Sequence, residues 1–244
     1  MSMHPAVNKS RVDLVYRMGG ALSGLLFPPT CLVCAEPGPP GRDLCGACAG
    51  TLPWLENACR GCALPLPAAE PDGALCGACH GGRSPLAAVH AALLYAAPVD
   101  GLLRRFKFHG DLAAGRLLAQ LMHARLAAVA RPQALVPVPL HLSRLRRRGY
   151  DQALELAWPL ARALRLPLRA GLQRTRATRA QSELDAPARR RNLRTAFTAH
   201  GPLPAHVALV DDVMTTGATV QAAARALRRA GVARVDAWVC ARVP

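Results

Sequence analysis

Lysine is almost missing from this chain. Lys9 and Lys107 are the only two, so 29 of the 31 basic residues are arginine. Acidic residues number 15, which leaves a formal net charge of +16. A surplus of that size points to nucleic acid or another polyanion as partner. The same bias toward Ala, Arg, Pro and Gly is what a GC-rich genome produces, so the charge permits nucleic-acid binding without showing it. Aromatics are scarce as well, with three Trp, three Tyr and four Phe in 244 residues. So few rings leave few stacking platforms for bases and argue against sequence-specific reading of DNA. Long apolar runs are missing: no stretch reaches the ~18 uncharged apolar residues of a membrane span. The N-terminal run at residues 12–27 is broken by Asp13 and Arg17, and it lacks a signal peptide's basic start, clean apolar centre and cleavage site. Segment 1–28 reads instead as an amphipathic helix, and the chain is expected in the cytoplasm, where thiols stay reduced. The phosphate loop G-x-x-x-x-G-K-[ST] is also absent, so an ATPase of that kind is not supported.

Cysteine is the residue present in excess. Eight of the nine fall into four C-x-x-C pairs: Cys31 and Cys34, Cys45 and Cys48, Cys59 and Cys62, Cys76 and Cys79. Two residues between the thiolates let both sulfurs turn toward one ion. Two such knuckles complete a tetrahedral site, so four knuckles predict two structural zinc ions. Neighbouring pairs sharing an ion is the simplest assignment, and crossed pairing is the alternative. The Gly- and Pro-rich text between them has no core of its own, so metal is expected to supply the folding energy. This defines a double zinc-ribbon module over residues 29–82. Cys240 stands alone in an apolar run and reads as a core thiol.

From residue 83 onward the pattern changes to strands alternating with helices. Strands are expected at residues 90–97, 134–139, 169–175, 206–210 and 232–241, and helices at 98–108, 111–130, 151–165 and 218–230. Pro159 is expected to kink or split the third helix. The arginine-rich stretch 144–149 reads as a basic loop. The alternation predicts an α/β domain over residues 83–244 with a parallel sheet and flanking helices.

The chemistry concentrates after the strand at 206–210. Asp211 and Asp212 stand at its carboxyl end, where ligands bind in open α/β sheets. Thr215, Thr216, Gly217, Ala218 and Thr219 then turn into a helix. Backbone N–H groups of such a turn attract a phosphate dianion. Gly217 allows close backbone approach, and the three threonines add hydroxyl donors. The two aspartates can accept hydrogen bonds from ribose 2′- and 3′-hydroxyls or help hold Mg²⁺. One short segment can therefore hold a 5-phosphate and a ribose together.

Residues 211–219 resemble the motif by which type I phosphoribosyltransferases bind 5-phosphoribosyl-1-pyrophosphate (PRPP). From Cys31 onward the chain resembles the ComF family, a cysteine-rich zinc segment fused to a phosphoribosyltransferase domain. Phe106-Lys107-Phe108-His109-Gly110-Asp111 is similar to its K-F-x-G-D segment. Val136-Pro137-Val138-Pro139 with Arg148-Gly149-Tyr150-Asp151-Gln152 is similar to its V-P-x-P and R-G-[FY]-N-Q segments, Asp151 standing where the family usually has Asn. Arg174, Thr178, Gln181, Leu184, Arg189, Asn192 and Phe197 follow the spacing of a third stretch. The resemblance implies a type I phosphoribosyltransferase-like fold and an Mg²⁺-dependent transfer from PRPP, with Asp211 and Asp212 as catalytic residues. It implies that Arg148, Arg174, Gln181 and Arg189 serve the pyrophosphate and a mobile loop. It also implies a role in natural transformation, with the competence machinery as partner.

Overall fold

The computed structural model describes residues 29–175 and 196–244. The helix expected at 1–28 lies outside those residues, as do Thr178, Gln181, Leu184, Arg189 and Asn192. The chain divides into two compact units, Met1–Thr51 and Leu52–Pro244.

The first unit is organised around Cys31 to Cys48. Cys31 N donates to Glu36 O at 2.8 Å, and Ala35 N donates back to Cys31 O at 2.9 Å. That tight turn puts Ala35 at φ +64°. A short helix, α1 (Gly46–Gly50), starts after Cys45, whose sulfur accepts the Cys48 N–H. The second unit opens on the same device. Cys59 N donates to Leu64 O, Ala63 N donates to Cys59 O, and Ala63 sits at φ +54°. The string C-x-x-C-A-x-P occurs at both places. It is a repeat of backbone geometry set by the need to aim two sulfurs at one point.

The remainder of the second unit is a four-stranded parallel sheet. Its strands are β1 (Ala88–Leu94), β2 (Ala134–Pro137), β5 (His206–Met214) and β6 (Arg234–Arg242), in the order β1-β6-β5-β2. A two-stranded antiparallel hairpin, β3 (Leu172–Arg174) with β4 (Phe197–Ala199), stands apart from it. The two central strands carry apolar runs, Val207–Val210 in β5 and Ala237–Ala241 in β6, because both of their faces are covered there. Val207 and Leu209 join the core cluster that also holds Val220, Ala223 and Leu227 of helix α6 (Ala218–Arg229). The alternate positions, Ala208 and Val210, are equally buried and face the other side. Helices α3 (Leu112–Leu126) and α5 (Gln152–Leu164) pack against each other and against the sheet. Helix α2 (Val99–Phe108) packs on α3, where Gly115 leaves room for the Phe106 ring.

Several expectations are corrected. The basic stretch at 144–149 is helical: α4 spans Leu142–Arg148, capped by His141 at its start and by Gly149 in the left-handed region at its end. Four arginines in five residues hide any apolar stripe, so periodicity could not find it. Pro159 does not split α5, which runs on to Leu164. Strand β5 continues past Val210 to Met214, so Asp211 and Asp212 are strand residues paired alongside β6, Asp211 opposite Val239. Polar residues ended the expected strand early, whereas the ladder continues to the sheet's edge. No helix among the described residues is long and apolar enough to cross a membrane.

The cysteine segment of the second unit lies along the exposed edge of β1. Leu94 N donates to Pro53 O at 2.8 Å, Leu55 N to Ala92 O at 3.2 Å and Val89 N to Arg60 O at 2.8 Å. Leu55 and Ala63 belong to the main apolar core. Arg125 of α3 donates to the carbonyls of Leu55 and Glu56.

Candidate functional site

Two four-cysteine groups form, Cys31/Cys34/Cys45/Cys48 and Cys59/Cys62/Cys76/Cys79, and within each the sulfurs lie within 4.8 Å of one another. Neighbouring knuckles therefore pair, and the crossed alternative is excluded. Four sulfurs at about 2.3 Å from a zinc ion stand about 3.8 Å apart at the corners of a tetrahedron. The distances Cys34 Sγ to Cys45 Sγ of 3.7 Å and Cys62 Sγ to Cys76 Sγ of 3.6 Å match that figure. Each group also contains one thiol primed for deprotonation. Burial raises Cys31, but backbone N–H groups of Cys45, Cys34 and Val33 outweigh it and bring it down to about 6. Burial likewise raises Cys59, and N–H groups of Cys76 and Gly61 bring it down to about 7. The donor set fits two structural zinc ions with closed coordination. Cys240 is buried in β6, as a core thiol should be.

The second assembly surrounds the carboxyl end of β5. Asp212 is buried and pairs with Lys107 Nζ at 2.9 Å. Its other oxygen accepts the Val213 N–H, while Asp211 Oδ1 accepts the Asp212 N–H at 2.9 Å. Burial pushes the Asp211 carboxyl up to about 8; the charge of Asp212 adds to that and Lys107 opposes it. Held that high, Asp211 keeps its proton near neutral pH, and the Lys107 ammonium balances the one charge left on Asp212. Thr215 and Thr216 are exposed in the turn, and Gly217 caps α6 at φ +73°. That left-handed backbone favours glycine, and a Cβ there would also displace the Met214 methyl. Ala218 opens the helix, its N–H donated to Thr216 Oγ1 at 3.4 Å, and Thr219 follows on the first turn.

Beside Asp212 and Lys107 lies an open cavity of about 380 Å³ lined by Lys107, Phe108, Gly110, Arg147, Arg148 and Tyr150. Arg148 ends α4; its Nη1 donates to Gln152 Oε1 at 2.7 Å and its guanidinium stands 5.5 Å from the Phe108 ring centre. Arg148 Nε and the Tyr150 hydroxyl are buried without a hydrogen-bond partner among the described residues. Asp151 is an N-cap: it accepts from Ala153 N, Leu154 N and Leu140 N. Both its oxygens accept, so the carboxylate serves where an amide would present one donor to another. Arg174 is buried with its guanidinium over Phe197 at 5.3 Å. Burial lowers its pKa, Arg144 pushes the same way and Asp211 opposes, so it stands within electrostatic reach of the acid pair. Gln181 and Arg189 lie outside the described residues.

Sequence reasoning missed the part played by Lys107. One signal existed: it is one of two lysines in a chain that otherwise uses arginine. An ammonium is a compact charge on a slender stem, which suits a single-oxygen contact in a crowded site. Phe108 and Tyr150 carried no sequence signal beyond the motifs that contain them.

Residues 22–80 match the family described as double zinc ribbon domain. DNA utilization protein YhgH of Escherichia coli (strain K12) is 34% identical over 227 residues, covering 89% of this chain and 99% of that protein. Its namesake in Salmonella typhimurium is 35% identical over 227 residues, with the same 89% and 99% coverage. Competence protein F of Haemophilus influenzae is 38% identical over 159 residues, covering 61% of this chain and 69% of that one. Among solved structures, the allosteric regulatory enzyme of purine biosynthesis matches with a TM-score of 0.37 and 24% identity, over 52% of this chain and 25% of that one.

Proposed function

This chain belongs to the family of DNA utilization protein YhgH and competence protein F, the ComF family, and from that premise we propose that it binds PRPP at the β5–α6 turn and transfers the phosphoribosyl group to an acceptor. One observation carries the reading: Asp211 and Asp212 lie near the carboxyl end of β5, just before a turn in which Gly217 takes a left-handed backbone with the Met214 methyl where a Cβ would stand. The 5-phosphate sits over the amino terminus of α6, where backbone N–H groups and threonine hydroxyls converge. Asp211 Oδ2, which has no partner among the described residues, accepts from the ribose hydroxyls. Lys107 holds Asp212 in place and neutralises it.

The cavity on the Lys107 side takes the pyrophosphate. Lys107, Arg147 and Arg148 supply charge, and the unpartnered Tyr150 hydroxyl and Arg148 Nε are donors in waiting. In the transfer, the bond from the anomeric carbon to a pyrophosphate oxygen breaks and the acceptor forms a bond to that carbon. Positive charge develops on the sugar and negative charge on the leaving group, so a fixed acid pair on one side and fixed cations on the other stabilise the same transition state. Mg²⁺, when bound, would be held by Asp211 and would supply charge to neutralise the leaving pyrophosphate.

The names of the relatives favour a second partner, DNA, which we read as single-stranded. Arg146 and Arg147 are exposed on α4, and Arg147 lines the cavity with Phe108, which is 65% exposed. This reading puts the protein in the cytoplasm with the competence machinery, handling DNA by backbone charge rather than by sequence. Release of pyrophosphate from PRPP, measured across nucleobase, nucleoside, amine and single-stranded DNA acceptors, tests the transferase. Turnover with one class identifies the acceptor. PRPP binding without turnover on any of them overturns the enzyme and leaves a PRPP sensor.

A further inference from the structure

Arg242 ends β6 and is only 6% exposed. Its partners connect two parts of the second unit that the sequence gives no reason to link. Nε donates to the carbonyl of Cys62 at 2.8 Å, a member of the second cysteine group. Nη1 donates to the carbonyl of Met214 at 3.2 Å, and also to that of Val243. Val243 N in turn donates to Met214 O at 3.0 Å. Met214 is the last residue of β5, and its methyl group lies where a Cβ on Gly217 would stand, so the two residues adjoin. One guanidinium therefore grips a metal knuckle on one side and the shoulder of the phosphate turn on the other. The sheet register puts Leu94, Arg242 and Met214 side by side across β1, β6 and β5, so the grip acts at a fixed point of the ladder.

A buried guanidinium needs a countercharge or a full set of acceptors. Among the described residues Arg242 has carbonyl acceptors and no carboxylate. A divalent ion held by four thiolates leaves the centre with net negative charge. Metal at the second centre thus supplies charge next to Cys62, and it also fixes the Cys62 carbonyl in space. With protonated thiols and no ion, both contributions disappear.

We propose that Arg242 is a positioning residue that couples the second cysteine centre to the β5–α6 turn. Metal at Cys59, Cys62, Cys76 and Cys79 sets Met214, and through it Gly217, for a ribose phosphate; bound ligand tightens the metal in return. The ligand half rests on the proposed reading of the turn as the PRPP site. Reciprocity is required of any such coupling, because the two binding free energies share one term. The first cysteine centre serves as the internal control.

The test uses the full-length, zinc-loaded protein and two readouts, amide hydrogen exchange at residues 214–220 and PRPP affinity by calorimetry. Arg242→Met is expected to keep its fold but to speed exchange at the turn about tenfold and to weaken PRPP about tenfold, the scale of one charge-assisted hydrogen bond. Arg242→Lys keeps the charge but reaches fewer carbonyls, so it should recover part of both. Cys34→Ser should change neither. PRPP should slow zinc transfer from the second centre to a chelator in the wild type and not in Arg242→Met. Unchanged exchange and affinity in Arg242→Met overturn the coupling, as does equal loosening by Cys34→Ser. If the wild type does not bind PRPP, the ligand reading fails on its own, and exchange still decides the coupling. If Arg242→Met does not fold, chelator-stripped wild type replaces it: exchange at 214–220 must rise when the second ion leaves, and no rise overturns the proposal.

Discussion

Changing Cys76 to Ser removes one sulfur from the group that lies in the same compact unit as the sheet. With the second ion lost, the segment along β1 loses the cross-link that ties its two knuckles together. Three backbone hydrogen bonds to the β1 edge go with it, those of Leu94, Leu55 and Val89. At about 1 kcal/mol each they contribute about 3 kcal/mol. Leu55 leaves the core, which adds about 2 kcal/mol. A loss near 5 kcal/mol in a unit of this size lowers the melting temperature by about 10–20 °C. Scanning calorimetry with elemental analysis measures both halves of the argument. Wild type should carry two zinc ions, and Cys76→Ser one, with the main transition displaced by that amount. Cys34→Ser should also fall to one ion, yet leave the main transition within about 2 °C. Loss of zinc from Cys76→Ser without a displaced transition would falsify the structural role given to the second centre, and so would an equal displacement by Cys34→Ser.

Gly217→Val forces a β-branched residue to φ +73° and drives its Cβ into Met214; it should cost about 1–3 kcal/mol in urea unfolding and remove PRPP-induced stabilisation, and a variant that melts and binds like wild type contradicts the turn geometry. Asp211 is held up near 8 in the fold, largely by burial, against an ordinary value near 4. The folded state therefore binds the extra proton, so this contribution is whole below about pH 4 and is lost as pH climbs through 8. The stability of wild type relative to Asp211→Asn should fall by a few kcal/mol between pH 5 and pH 9 in urea titrations, and a flat difference rules out the buried acid pair. Single-stranded DNA, if bound through Arg146 and Arg147, should show a log–log salt slope that becomes less steep by about 1.4 when both are changed to Ala; an unchanged slope returns the arginines to compositional bias.

The parts of this molecule that sequence could reveal were those with a local physical cause. A C-x-x-C pair is a ligand geometry in itself, so the eight cysteines stood out by residue, while which pairs share an ion needed the fold. Val207 to Val210 are buried on both faces, and an apolar run with acids at its end announces a strand feeding a site. What stayed hidden depends on distant partners. Helix α4 is arginine on nearly every side and is defined by His141 and Gly149 at its ends, so no apolar period marks it. The Lys107–Asp212 pair joins residues more than a hundred positions apart. Arg242 reads as one more charge at a strand end, and its three carbonyl partners come from the knuckle, from β5 and from its own neighbour. The extension of β5 through Asp211 and Asp212 follows from its ladder with β6, which no local pattern records.

Calorimetric titration of the zinc-loaded protein with PRPP, with and without Mg²⁺, tests the central claim most directly. A single site per chain is expected, lost in Gly217→Val and weakened in Asp211→Asn. Removal of Lys107 should weaken it too, because Asp212 then loses its partner and the cavity one of its cations. Saturable binding that disappears with the Gly217 change is the predicted result. No binding of PRPP or ribose 5-phosphate by the folded, zinc-loaded wild type, or binding indifferent to Gly217 and Asp211, would contradict the account.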